Sequence, residues 1–151
     1  MFFIRIITIS LFFFNNIAYA QETTSACLTA EENEAFAFRV LQTKYMVSAL
    51  GCDGILEDYN GFVAKYYDSF VKNGEVLRNY FKKCYGNRAN FQLDKFITKI
   101  ANHFSLLSVE NHRSFCKANH QSMLTFLKSD HKTLIEKNHI IIEDFIPQKC
   151  Q

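Results

Sequence analysis

Apolar side chains recur every three or four residues along most of this chain, a spacing that is typical of amphipathic helices. Thr29 and Glu32 have the spacing of a capping box, so a first helix is predicted to begin there. Gly51 is placed to end it, because glycine readily adopts the left-handed conformation of a helix C-terminus. One mostly apolar face is predicted for this helix, made by Phe36, Val40, Leu41, Met46, Val47 and Leu50.

A turn at Asp53-Gly54 leads to further helical spacing from 55 to 85. Asn73-Gly74 interrupts that spacing, so the segment is predicted to be either one kinked helix or two short ones. The polar stretch 87–90 is predicted to be a loop. Two more helices are then expected over 93–107 and 115–127, with a turn at 108–111 in which Ser108 is a candidate cap.

The end of the chain has a different pattern. Asp130 is a candidate cap for one short helical segment that runs through Glu136. Residues 140–142 are all isoleucine, which is β-branched, and Pro147 stops regular structure. The stretch 139–147 is therefore predicted to be an extended tail or short strand, which either packs on the helices or binds a partner.

These elements predict an all-α fold, an antiparallel bundle of four to five helices with disulfide staples and an extended C-terminal tail. The single proline and five glycines favour helices, because β-sandwiches and barrels usually need more of both in their turns. The predicted organisation is a signal peptide at 1–20, a short leader at 21–28, a helical domain at 29–129 and a C-terminal segment at 130–151.

The first twenty residues have the features of a secretory signal peptide. Arg5 gives a positive start, an apolar run follows, and Ala18-Tyr19-Ala20 is a small-x-small cleavage site. The run is too short to span a bilayer, which needs about 20 apolar residues. We therefore expect export to the periplasm or the medium, cleavage after Ala20, and no membrane span in the mature chain.

Charge argues against a nucleic-acid partner. The formal net charge is +2, and Lys82-Lys83 is a pair of basic residues rather than a basic stripe. No calcium-binding loop, phosphate-cradling glycine loop or G-x-S-x-G motif is present, so no cofactor and no enzymatic activity are predicted. The acidic cluster of Asp53, Glu57 and Asp58 is explained by the favourable dipole of a helix N-terminus.

Five cysteines lie beyond the predicted cleavage site, and an exported protein meets an oxidising compartment, so pairing is expected. On an up-and-down path, with 55–85 taken as one descending unit, Cys52 and Cys116 fall near one end of the bundle. Cys27 and Cys84 fall near the other end, and Cys150 is left as a free or intermolecular thiol that could link a dimer. A break at Gly74 would reverse one helix and undo this assignment of the pairs.

Several blocks of residues together resemble a group of small exported proteobacterial proteins of unknown function, over roughly 38–117. The blocks are Leu41-Gln42-Thr43 with Met46-Val47, Ala49 and Cys52; Asp58-Tyr59-Asn60 with Phe62-Val63; Leu77-Arg78 with Tyr80-Phe81 and Tyr85-Gly86; and Asp94, Thr98, Ala101-Asn102 and Phe115-Cys116. The resemblance implies an exported helical domain with Cys52 and Cys116 as the favoured pair, and it implies no activity.

One constellation could carry chemistry. His112, Cys116 and His120 have the spacing of one face of a helix, and imidazole with thiolate suits copper or zinc. The competing interpretation is that Cys116 lies in a disulfide and both histidines are solvated. The leading hypothesis is accordingly a non-enzymatic binding module for an unknown protein or envelope component. The alternative is a periplasmic metal or small-ligand carrier that uses the His/Cys face.

Overall fold

The computed structural model describes residues 28–129 and 145–146, and in these residues the fold is all-α with no strand. A 3₁₀ turn at Gly86–Arg88 lies between the third and fourth α-helices. The predicted helical bundle is thus confirmed. Its helices are α1 (Ala30–Gly51), α2 (Leu56–Lys65), α3 (Tyr67–Tyr85), α4 (Ala89–Glu110) and α5 (His112–Lys128).

Helix α1 begins at the predicted capping box and is the central helix of the bundle. The Thr29 hydroxyl accepts from the Glu32 amide at 3.1 Å, and the Glu32 carboxylate accepts from the Thr29 amide at 2.8 Å. The prediction of one apolar face was wrong. Buried residues surround the helix, from Phe36 and Val40 on one side to Phe38 and Tyr45 on the other. A helix that is apolar all round is one covered by neighbours on every side.

Two aromatic clusters form the core on either side of α1. The first joins α1 to α3 and α4, where the Phe36 ring meets Tyr80 and Phe96 edge to face, with centroids 5.0 and 5.1 Å apart. The second joins α1 to α2 and α5, where Tyr45 meets Phe62 at 5.0 Å. Edge-to-face pairs add stabilisation to the burial of the rings themselves. The abundance of phenylalanine and tyrosine is explained by these clusters.

The segment 55–85 forms two helices, but the break falls at Tyr66 and not at the predicted Asn73-Gly74. The Tyr66 hydroxyl donates to the Phe126 carbonyl at 2.8 Å and the Ser129 carbonyl at 3.0 Å. The Lys65 ammonium donates to the Ser129 carbonyl at 2.6 Å. Because the last carbonyls of a helix lack partners within it, these two side chains complete the C-terminus of α5.

Other boundaries differ from expectation by about one turn. The predicted loop at 87–90 is partly helical, and α4 continues through Ser108, so Asn111 caps α5 by accepting from the Ser114 amide at 3.4 Å. The predicted turn at Asp53-Gly54 is present, and Gly54 has a φ of 75°, which glycine tolerates best. Within the described part of the chain, no helix is long and apolar enough to cross a membrane.

Only a short part of the C-terminal segment is described. Phe145 is 4% exposed and packs on α4, with its ring centroid 5.9 Å from that of Phe104. The signal peptide, the capping position Asp130 and the isoleucine stretch 140–142 lie outside the described residues. The contact of Phe145 therefore places one point of the tail on the bundle.

Candidate functional site

The disulfide between Cys52 and Cys116 ties the end of α1 to α5. The two Cα atoms are 5.7 Å apart, and the bond joins positions separated by 64 residues. Cys52 is buried, and Cys116 is partly buried. This is the pair that the sequence favours. The other predicted pair is Cys27 with Cys84. Cys84 is disulfide-bonded, but Cys27 and Cys150 lie outside the described residues, so the prediction of its partner stays a prediction.

The bond removes Cys116 from the metal site predicted from His112, Cys116 and His120. The ring nitrogens of His112 are 3.7 and 3.8 Å from the Cys116 sulfur, so the spacing does place these side chains on one helix face. The sulfur is already bonded to Cys52, however, and a disulfide offers no thiolate to a metal. In residues 28–129 and 145–146, no three His, Cys, Asp or Glu side chains form a metal-binding group.

His120 has a structural partner instead. Its Nε2 lies 2.6 Å from the Asp58 carboxylate, which binds α5 to the first turn of α2. Both side chains are about one-third exposed, at 38% and 32%. The acidic cluster is thereby divided, because Asp58 holds the histidine whereas Asp53 and Glu57 are exposed. Surface pairs of this kind contribute little stability, so the pair mainly orients the imidazole.

The outer face of α4 forms an open groove that the sequence analysis did not anticipate. Its volume is about 770 Å³. Phe91 and Leu106 lie at its two ends and are 65% and 64% exposed. Exposed large apolar side chains at the ends of a groove are candidate anchors for a binding partner. We call this surface the α4 groove, and its lining residues are Phe91, Asp94, Lys95, Thr98, Lys99, Asn102, His103 and Leu106.

The tail borders the α4 groove. The Phe145 ring lies 5.1 Å from the His103 ring and 5.7 Å from the Lys99 ammonium. Both contacted residues line the groove, so Phe145 lies beside this surface. The spacing of Phe91 and Leu106 was a weak sign in the sequence, since similar apolar positions elsewhere on α4 are core.

Comparison of this chain with protein-family models, with curated proteins and with solved structures finds no match. The resemblance to small exported proteobacterial proteins consequently stays a prediction.

Proposed function

We propose that this chain is an exported, non-enzymatic binding protein that engages a protein partner through the α4 groove. The observation that carries the proposal is the pair of exposed apolar anchors, Phe91 and Leu106, at the two ends of one groove. Fifteen residues of helix separate them, which corresponds to about 22 Å. A partner helix of similar length with apolar residues at both ends would cover the groove in the helix-in-groove mode.

The charges of the groove favour an acidic partner. Lys95 and Lys99 line it together with one carboxylate, that of Asp94. Complementary charge speeds association and disfavours basic competitors. The proposed occupant is therefore an acidic amphipathic helix of another protein.

Site-specific photocrosslinking in cells that express the full chain tests this proposal. A photoreactive phenylalanine analogue replaces Phe91 or Leu106, and the control position is Tyr67, which is 61% exposed on α3. We expect both groove positions, and not Tyr67, to give an adduct with the same protein. We also expect the Phe91 adduct to disappear when Leu106 is changed to aspartate.

Three outcomes would contradict the proposal. The first is equal adduct formation at Tyr67. The second is an adduct between groove positions and other residues of the same chain, which would mean that the chain covers its own groove. The third is an adduct with a second copy of this protein. Circular dichroism of the Leu106→Asp variant serves as the folding control, and Leu106 is exposed enough that the fold should tolerate the change.

Export is the second part of the proposal. It is supported by the signal-peptide pattern of residues 1–20 and by the Cys52–Cys116 disulfide, since disulfides persist in oxidising compartments. Mass spectrometry of the protein from the exported fraction should find an N-terminus at Gln21. An uncut chain confined to the cytoplasm would refute it.

A further inference from the structure

Two arginines from different helices converge on one glycine of α3. A Cβ atom added to Gly74 would lie 3.6 Å from Nη1 of Arg78 and 3.7 Å from Nη2 of Arg39. These two guanidinium nitrogens therefore lie within about 7 Å of each other, next to a backbone position that has no side chain of its own. Two like charges at this separation repel each other, and an anion bound between them would relieve that repulsion.

In the described part of the chain, neither arginine is paired with a carboxylate. Arg39 donates to the Gln42 side-chain oxygen at 2.9 Å, which is an uncharged partner. Within residues 28–129 and 145–146, the ion pairs involve neither arginine. Tyr59 also interacts with Arg39, but burial raises the pKa of its hydroxyl, which stays neutral at pH 7. Burial, and then the charge of Arg78, lower the pKa of Arg39.

Asn73, next to Gly74, is a second unusual polar group at this place. It is 3% exposed, and neither its side-chain nitrogen nor its oxygen has a hydrogen-bond partner among the described residues. It lines a crevice together with Arg39, Gln42 and Gly74. A buried amide without partners is unfavourable, and such groups in folded proteins call for an explanation.

We propose that Arg39 and Arg78 form a binding site for a phosphate group, with Gly74 as its floor and the buried Asn73 amide in the adjoining crevice. Guanidinium groups present planar pairs of donors that match phosphate oxygens. The two positive charges are neutralised by one phosphate dianion, whereas a single carboxylate would neutralise only one of them. The crevice itself is too narrow for a water molecule. The phosphate is therefore placed at its mouth, where Arg78 is exposed and Arg39 is partly buried. This site is separate from the α4 groove.

Calorimetric titration of the oxidised mature protein with inorganic phosphate, at constant ionic strength set by chloride, is the first test. Arg78→Gln should weaken phosphate binding about tenfold or more, as expected when a hydrogen bond to a charged group is lost. Arg88→Gln is the matched control, because it removes the same charge from an exposed position outside the site. The phosphate affinity of this control should stay within about twofold of that of the unchanged protein.

Gly74→Ala separates binding from folding. Alanine has a higher helix propensity than glycine, and the added methyl group meets the two arginines at ordinary contact distances. The fold should therefore be kept or stabilised. The methyl nevertheless occupies the floor of the site, so phosphate affinity should fall several-fold. Phosphate binding unchanged by Gly74→Ala or by Arg78→Gln would overturn the proposal, as would an equal loss in Arg88→Gln.

Vesicles distinguish the two sources of such a group. The protein is sedimented with phosphatidylcholine vesicles that contain phosphatidic acid. Vesicle binding that is lost in Arg78→Gln would assign the site to a lipid headgroup. Binding of inorganic phosphate without vesicle association would assign it to a free phosphate compound. Binding of neither would overturn the proposal.

Discussion

Changing both Cys52 and Cys116 to alanine removes the covalent tie between α1 and α5. The bond closes a loop of 64 residues, and loop-closure entropy for that length predicts a stabilisation of about 4 kcal/mol. Cys84 lies inside this loop and is itself disulfide-bonded, which shortens the unfolded chain's effective loop. We therefore expect the double variant to lose between about 2 and 4 kcal/mol.

The fold should survive this loss, because α5 remains attached through the buried side chains Met123 and Phe126. The assay is urea unfolding followed by circular dichroism in the absence of reductant. The dependence of the unfolding free energy on urea should also become steeper, since the unfolded chain without the bond exposes more surface. A loss below about 1 kcal/mol with an unchanged slope would refute the argument that the bond acts by restraining the unfolded chain.

Three further substitutions test the core and its polar contacts. Tyr66→Phe should cost about 1 kcal/mol in urea unfolding, because it removes a buried donor to the end of α5, whereas Tyr67→Phe at an exposed position should cost nothing measurable. Burial raises the pKa of Tyr45 in the folded protein. The contribution of its neutral hydroxyl to the unfolding free energy is therefore complete below about pH 10 and is lost as the pH rises further, because the unfolded chain then ionises first. Tyr45→Phe should accordingly flatten the alkaline fall in unfolding free energy, and parallel pH profiles would contradict this. Asn73→Leu should raise the unfolding free energy by about 1 kcal/mol, since it replaces an unpartnered buried amide, and a loss of stability would show that the amide has a partner in solution.

Local signals in the sequence were sufficient for the start of α1 and for the helical class of the fold. The capping box of Thr29 and Glu32 depends only on residues three apart, and both of its hydrogen bonds are present. Helical periodicity likewise depends on near neighbours. The same reasoning failed at Asn73-Gly74, where a usual breaking signal lies in the middle of α3. Packing against α1 overrides the local preference there.

The candidate sites were much less accessible from the sequence. His112, Cys116 and His120 share a helix face as the spacing predicts, but the disulfide and Asp58 occupy two of them. Arg39 and Arg78 carry no recognisable motif, since they belong to different helices and meet only when α1 packs on α3.

The sequence by itself determined which segments are helical, where α1 begins and which cysteines suit one end of the bundle. Those properties depend on residues that are close in the chain or on the order of the helices. Only the tertiary structure decided that α1 is central, that the chain bends at Tyr66 and that two arginines share one glycine. Each of these depends on which helix faces meet, and that choice minimises the free energy of the whole bundle rather than of any one segment.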